Sequence, residues 1–153
     1  MGYYVRVFGM TKSAPTLRAA LEAANRDDVV FTLEDEKVLD DPNWKQINLT
    51  FTPENTWAVL ECDRVGDSLF PAEVAEFLEQ IGPVGRSKHK NFVAAQLSAS
   101  QFVISCQLPS APSDELWEAV ERLMEPLIEQ CDGLFQVDDV GFYYLEQLLV
   151  KTN

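Results

Sequence analysis

The chain is poor in the side chains that most enzymes use for chemistry. It has one histidine, His89, and three cysteines, Cys62, Cys106 and Cys131, among 153 residues. No C-x-x-C spacing occurs, so neither a dithiol redox pair nor a cysteine-based zinc site is expected. Dinucleotide fingerprint, P-loop, nucleophile elbow and H-E-x-x-H are all missing, which removes any motif-based reason to read an enzyme here. Apolar runs never approach the roughly 20 residues of a membrane helix, so no membrane partner is expected. Met1 to Arg6 lacks a secretory pattern, and arginine stands sixth where a myristoylation signal has Ser or Thr. Odd, widely spaced cysteines in strand-like apolar runs read as small buried hydrophobes in a reducing compartment. Together these features read as a cytoplasmic protein with no expected cofactor or metal site.

Positive charge is also scarce. Twelve Lys and Arg face 25 Asp and Glu, a net charge of −13. The excess is uneven, because residues 101–153 hold ten acidic side chains against Arg122 and Lys151 alone. Such a field repels nucleic acid and favours basic partners. An acid-rich surface that only keeps the protein soluble is the blander alternative.

What the chain does have is core material. Its hydrophobic content is 46%, with nine phenylalanines and three tryptophans, enough for a single α+β domain spanning 1–153. Tyr3 to Phe8 reads as a strand. Ser13 is expected to cap a helix over Pro15–Ala24, with Leu17, Ala20, Leu21 and Ala24 on one face. Val29–Leu33 reads as a strand and Glu34–Asp41 as a charged turn. Gln46–Thr52 alternates as a half-buried strand, returning through a Pro53-Glu54-Asn55 turn to Trp57–Asp63. Phe70-Pro71 opens a helix that buries Val74, Phe77, Leu78 and Ile81 and ends at Gly82-Pro83.

Asn91–Leu97 and Gln101–Leu108 read as a hairpin. Ser113 is expected to cap the longest helix, with Leu116, Val120, Leu123, Met124, Leu127, Ile128 and Cys131 as its buried stripe. Pro126 should kink or split that helix, and Gly133 should stop it. Leu134–Val137 and Phe142–Val150 make a last strand pair. The expected architecture is an antiparallel or mixed sheet with about three helices on one face. Val59–Glu73 and Ile104–Glu115 echo each other faintly, either as a duplicated ββα unit or as the ordinary build of such folds.

Three candidate sites follow. The exposed side of the long helix, Asp114, Glu118, Glu121, Glu125 and Glu129, could dock a basic protein partner. The turn Arg86, Lys88, His89 and Lys90 is the only concentrated positive charge and could hold an anion. It follows Gly82-Pro83-Val84-Gly85, a G-x-x-G of the kind that clamps a nucleic-acid backbone in KH domains, although a strand is expected after it instead of a helix. A cleft between sheet and helices could take a small molecule or serve an enzyme. His89 alone suggests no catalytic set, and Glu34–Glu36, Asp40-Asp41 and Asp138-Asp139 lack the alternation and glycine turn of a calcium loop. Tyr3-Tyr4 and Phe142-Tyr143-Tyr144 place aromatics on both faces of terminal strands, where exposed ones would suit a protein interface.

The run Gly133-Leu134-Phe135-Gln136-Val137-Asp138-Asp139-Val140-Gly141-Phe142-Tyr143 resembles a C-terminal G-x-x-Q-x-D-x-x-G-F-Y segment of small bacterial proteins of unknown function. That resemblance covers about a tenth of the chain and implies a bacterial cytosolic origin but no activity. The leading expectation is a non-enzymatic, acidic protein-binding module, an inhibitor or immunity-type protein being one version.

Overall fold

A computed structural model describes residues 3–25, 30–33, 35–52 and 56–152, with backbone alone at 30, 51, 52, 56 and 57. Val29, Glu34 and the Pro53–Asn55 turn lie outside the described residues. Among the described residues eight strands form one sheet: β1 (Tyr3–Gly9), β2 (Val30–Leu33), β3 (Gln46–Thr52), β4 (Thr56–Arg64), β5 (Phe102–Leu108), β6 (Leu134–Val137), β7 (Gly141–Tyr144) and β8 (Gln147–Lys151). Their order is β2-β3-β4-β5-β1-β6-β7-β8, and every neighbouring pair is antiparallel. Four α-helices accompany them: α1 (Leu17–Ala24), α2 (Leu69–Ile81), α3 (Lys88–Ala99) and α4 (Asp114–Cys131). The class is α+β, as the hairpin pattern implies.

The helices lie two on each face, not three on one. On β1, Val5 and Val7 face a core shared with Leu17, Leu21, Leu116, Leu123 and Leu127 of α1 and α4. Phe8 faces the opposite core, with Phe70, Phe77 and Ile81 of α2 and Val93 and Leu97 of α3. Strand alternation therefore loads both sides of the central strands, which explains why β5 is buried at nearly every position.

The additional helix is α3, where a strand over Asn91–Leu97 is expected. Ser87 caps it, its hydroxyl accepting from Lys90 N at 3.0 Å. Ala94, Ala95 and Gln96 are helix formers, and the buried Val93 and Leu97 stand four apart. Three consecutive basic residues in its first turn oppose the helix dipole and obscure this start in the sequence. With α3 present, β5 follows a helix instead of a hairpin partner, and α2 and α4 fall on opposite faces. The duplicated ββα unit does not exist.

Smaller corrections concern helix ends. Thr16, not Ser13, caps α1, accepting from Ala19 N at 3.3 Å, and Pro15 precedes the helix. The Glu34–Asp41 stretch holds a 3-10 turn over Glu36–Asp40, capped by Asp35. Helix α4 runs unbroken through Pro126. It ends at Asp132, which is left-handed at φ 48°, while Gly133 N donates to Ile128 O at 2.9 Å. Gly133 is required for space, because a Cβ there would strike Val7 and the Phe8 carbonyl. β7 and β8 form a separate hairpin whose two-residue turn is Leu145-Glu146.

Candidate functional site

Two concavities flank the β6–β7 turn, one on each face of the sheet. The first is polar. Glu61, Ser105, Arg6 and Gln136 stand opposite one another on β4, β5, β1 and β6, giving this face a polar row where apolar side chains would otherwise sit. A cavity of about 390 Å³ opens above it, lined by Arg6, Glu73, Glu76, Gln136, Asp138 and Asp139 among others. The cavity lies between the sheet and α2.

The one cation lining it among the described residues, Arg6, pairs with Glu73 and Asp138, while Glu76 and Asp139 at its edge are exposed. Arg6 Nε donates to Glu73 Oε1 at 2.8 Å, and its Nη1 donates to Gln136 Oε1 and Asp138 Oδ1, both at 2.7 Å. Gln136 Nε2 donates to Asp138 Oδ1 at 3.0 Å, and Tyr4 N to Asp138 Oδ2 at 3.1 Å. The Tyr3 hydroxyl donates to the Asp138 carbonyl. The guanidinium also lies over the rings of Tyr4 and Phe77, 4.8 and 5.0 Å from their centroids. Burial raises the Glu73 carboxyl above the ordinary value, with Arg6 pulling the other way. The network ties α2, β1 and the β6–β7 turn together.

The G-x-x-Q-x-D-x-x-G-F-Y run acquires a structural reading from this. Gln136 and Asp138 hold Arg6. Gly141, at φ 146°, lies where a Cβ would meet the Val150 carbonyl. Phe142 is fully buried, edge-on to Phe77 at 5.7 Å. Tyr143 projects to the other face.

The second concavity lies on that other face, between α4 and β6–β7, and holds about 530 Å³. Trp117, Met124 and Ile128 form its helical wall; Phe135, Val137, Val140 and Tyr143 form its sheet wall. Phe135 and Tyr143 are direct cross-strand partners, 6.3 Å apart between ring centroids. Tyr3 closes the base, edge-on to Trp117 at 5.5 Å. Glu121, Glu125 and Glu146 rim it, with Leu145 at one end. Leu145 is 64% exposed, and its φ of 56° is a left-handed conformation that costs a leucine about 1–2 kcal/mol.

The five acids Asp114, Glu118, Glu121, Glu125 and Glu129 are all exposed on α4, and their three- and four-residue spacing makes one stripe, of which Glu121 and Glu125 border the groove. The stripe is visible in the helical spacing of its acids, whereas the apolar wall beside it is not. The one signal for that wall is Trp117 and Ile128, too apolar for the edge of a solvated face.

The basic turn is dispersed. Lys90 Nζ donates to the carbonyls of Gly82 and Val84 at 2.7 and 2.8 Å, closing the end of α2. Arg86 and Lys88 are exposed, and His89 is half-buried in the first turn of α3. The G-x-x-G does join two helices, contrary to the expected strand, so the ground for setting it apart from a KH-type clamp falls. Pro83 nonetheless removes one backbone donor from the loop, and Lys90 is engaged within it.

Nucleophilic chemistry finds little support among the described residues. Burial pushes the thiols of Cys62, Cys106 and Cys131 up to about 12, so they stay protonated at neutral pH. No described group of three or more His, Cys, Asp or Glu side chains is arranged to hold a metal ion. No described helix is long and apolar enough to cross a membrane. Comparison of the chain with protein-family models, curated proteins and solved structures finds no match.

Proposed function

We propose that the chain is a protein-binding module that docks a basic partner along α4. The observation that carries this reading is the pairing of an all-acidic stripe with an apolar groove on one helix. Four successive like-charge pairs three or four residues apart each cost the helix about 0.2–0.5 kcal/mol. Glu125 and Glu129 also lie toward the negative end of the helix dipole, and no basic residue occupies the last turn. Asp114 suits the positive end of the dipole and Arg122 stands four residues after Glu118, but the acids toward the C-terminus work against the helix, whereas a basic partner would neutralise them and be steered to them. An inhibitor or immunity-type protein that blocks a basic enzyme is one version.

The test is affinity capture from the native host with wild type and with the E118K/E121K/E125K/E129K variant. A basic protein held by wild type, released by salt and lost by the variant is expected. A partner held equally by both would sink this face.

A second reading draws on the G-x-x-G loop, which joins α2 to α3 beside the exposed Arg86 and Lys88. It predicts retention of single-stranded RNA at low salt that R86E/K88E abolishes. Filter binding without retention removes it.

A further inference from the structure

We propose that the groove takes one amphipathic helix of the basic partner, which completes the helical layer on this face of the sheet. The proposal rests on the docking function above and names its occupant.

The layer has room for one more helix. On this face α1 contacts β2 and α4, and α4 lies over β1. The sheet continues through β6, β7 and β8, yet no described helix covers β6 and β7 here. Helices pack 8–10 Å apart and strands about 4.8 Å apart, so two strands span the width of one helix. The strip over β6 and β7 is therefore one helix wide, with β8 as the sheet edge beyond it. Trp117 and Ile128 mark its length along α4, eleven residues or about 16 Å, which matches three turns of a partner helix.

The groove's chemistry selects a helix over an extended peptide. β6 and β7 are interior strands whose backbone groups bond to neighbours on both sides. An extended segment lying between α4 and these strands would find side chains and no free strand edge, the sheet's edge being β8 beyond them, and would leave its own backbone unpaired against apolar walls. A helix satisfies its backbone internally and presents apolar residues at i, i+3, i+4 and i+7. Lysines or arginines flanking that stripe would meet Glu121 and Glu125 on one side and Glu146 on the other. A second copy of this chain is the wrong occupant, because its rim repeats the same acids and the chain carries −13 overall.

The experiment uses the full chain and a labelled synthetic peptide of about 14 residues, leucines at helical spacing and lysines elsewhere. Its control has the same composition in an order without an apolar face. Fluorescence anisotropy and circular dichroism are read together. The amphipathic peptide should bind, gain helicity, and outcompete the control by about tenfold or more. Leu145→Asp changes an exposed turn residue and adds negative charge. Attraction by charge alone predicts tighter binding to it, whereas the proposal predicts a several-fold loss. Tyr143→Ser, in the sheet wall, should weaken binding likewise.

Equal binding of the two peptides, or a bound peptide that gains no helicity, overturns the helix and leaves the acidic docking reading standing. Absence of binding by both at low salt overturns both. Sedimentation showing a dimer that L145D dissociates assigns the groove to a second copy and overturns the proposal.

Discussion

The two concavities beside the β6–β7 turn share a strand pair yet differ in what they leave unsatisfied. Around Arg6, three acceptors and two aromatic rings surround one guanidinium, and two of the acceptors, Gln136 and Asp138, are bonded to each other, Asp138 also to Tyr4 N. Across the sheet, the groove has apolar walls without a covering element, an acidic rim without counter-charges among its lining residues, and an exposed leucine in a left-handed turn. The Arg6 centre, paired with Glu73 and Asp138, ties α2, β1 and the β6–β7 turn together. An apolar groove with surplus charge and local strain presents a surface to something else. Only Asp138 to Val140 separates them, with Asp138 serving one side and Val140 the other.

The sharpest way to break this contrast is Arg6→Met. If the cavity is a structural tie, the substitution leaves Glu73 and Asp138 without their cation in a largely buried setting, and stability should fall by about 3 kcal/mol. Urea unfolding measures this. A loss below about 0.5 kcal/mol would show that the network is not holding the fold.

Glu73 tests the same side through pH. Its carboxyl titrates above the ordinary value because of burial. A carboxyl raised in the folded state contributes stability that is full below the unfolded value and is lost as pH rises through the folded one. Wild type should therefore lose ground to Glu73→Gln as pH increases from about 4 to 7. Parallel stability curves for the two proteins would show that burial does not govern this group.

Leu145→Gly addresses the groove. Glycine adopts positive φ without penalty, so stability should rise by about 1 kcal/mol while peptide binding weakens. A variant that gains stability and loses binding shows that the strain is retained for contact. A drop in melting temperature would place Leu145 among the stabilising residues and weaken the contrast.

Much of this was readable in advance, for reasons that differ by element. β3 declared itself because Ile47, Leu49 and their polar neighbours alternate on an interior strand with one buried and one exposed face. α4 declared itself because Leu116, Val120, Leu123 and Leu127 keep helical spacing for about three turns. α3 escaped because its buried pair, Val93 and Leu97, is short and neutral, and its basic first turn contradicts the usual helix start. The acidic stripe was legible because spacing alone puts it on one face. The groove was not, since its second wall comes from Phe135, Val140 and Tyr143, whose position beside α4 depends on β6 pairing with β1 from the far end of the chain. Arg6 was invisible for the same reason: each of its acceptors is more than sixty residues away.

The smallest expected effect bears on whether the stripe is functional or only solvating. Glu129 sits in the last turn of α4, four residues after Glu125, where its charge opposes both that neighbour and the helix dipole. Glu129→Gln keeps size and polarity while removing the charge. Relief of the pair and of the dipole term should together raise stability by about 0.5 kcal/mol, visible as a small upward shift in melting temperature that shrinks in high salt. The same substitution should slow association with a basic partner, again most clearly at low salt. A solvating stripe predicts the first change without the second. Stability gained and association slowed, in one charge removal and with one salt dependence, would mean that α4 carries its acids at a cost set by what it binds.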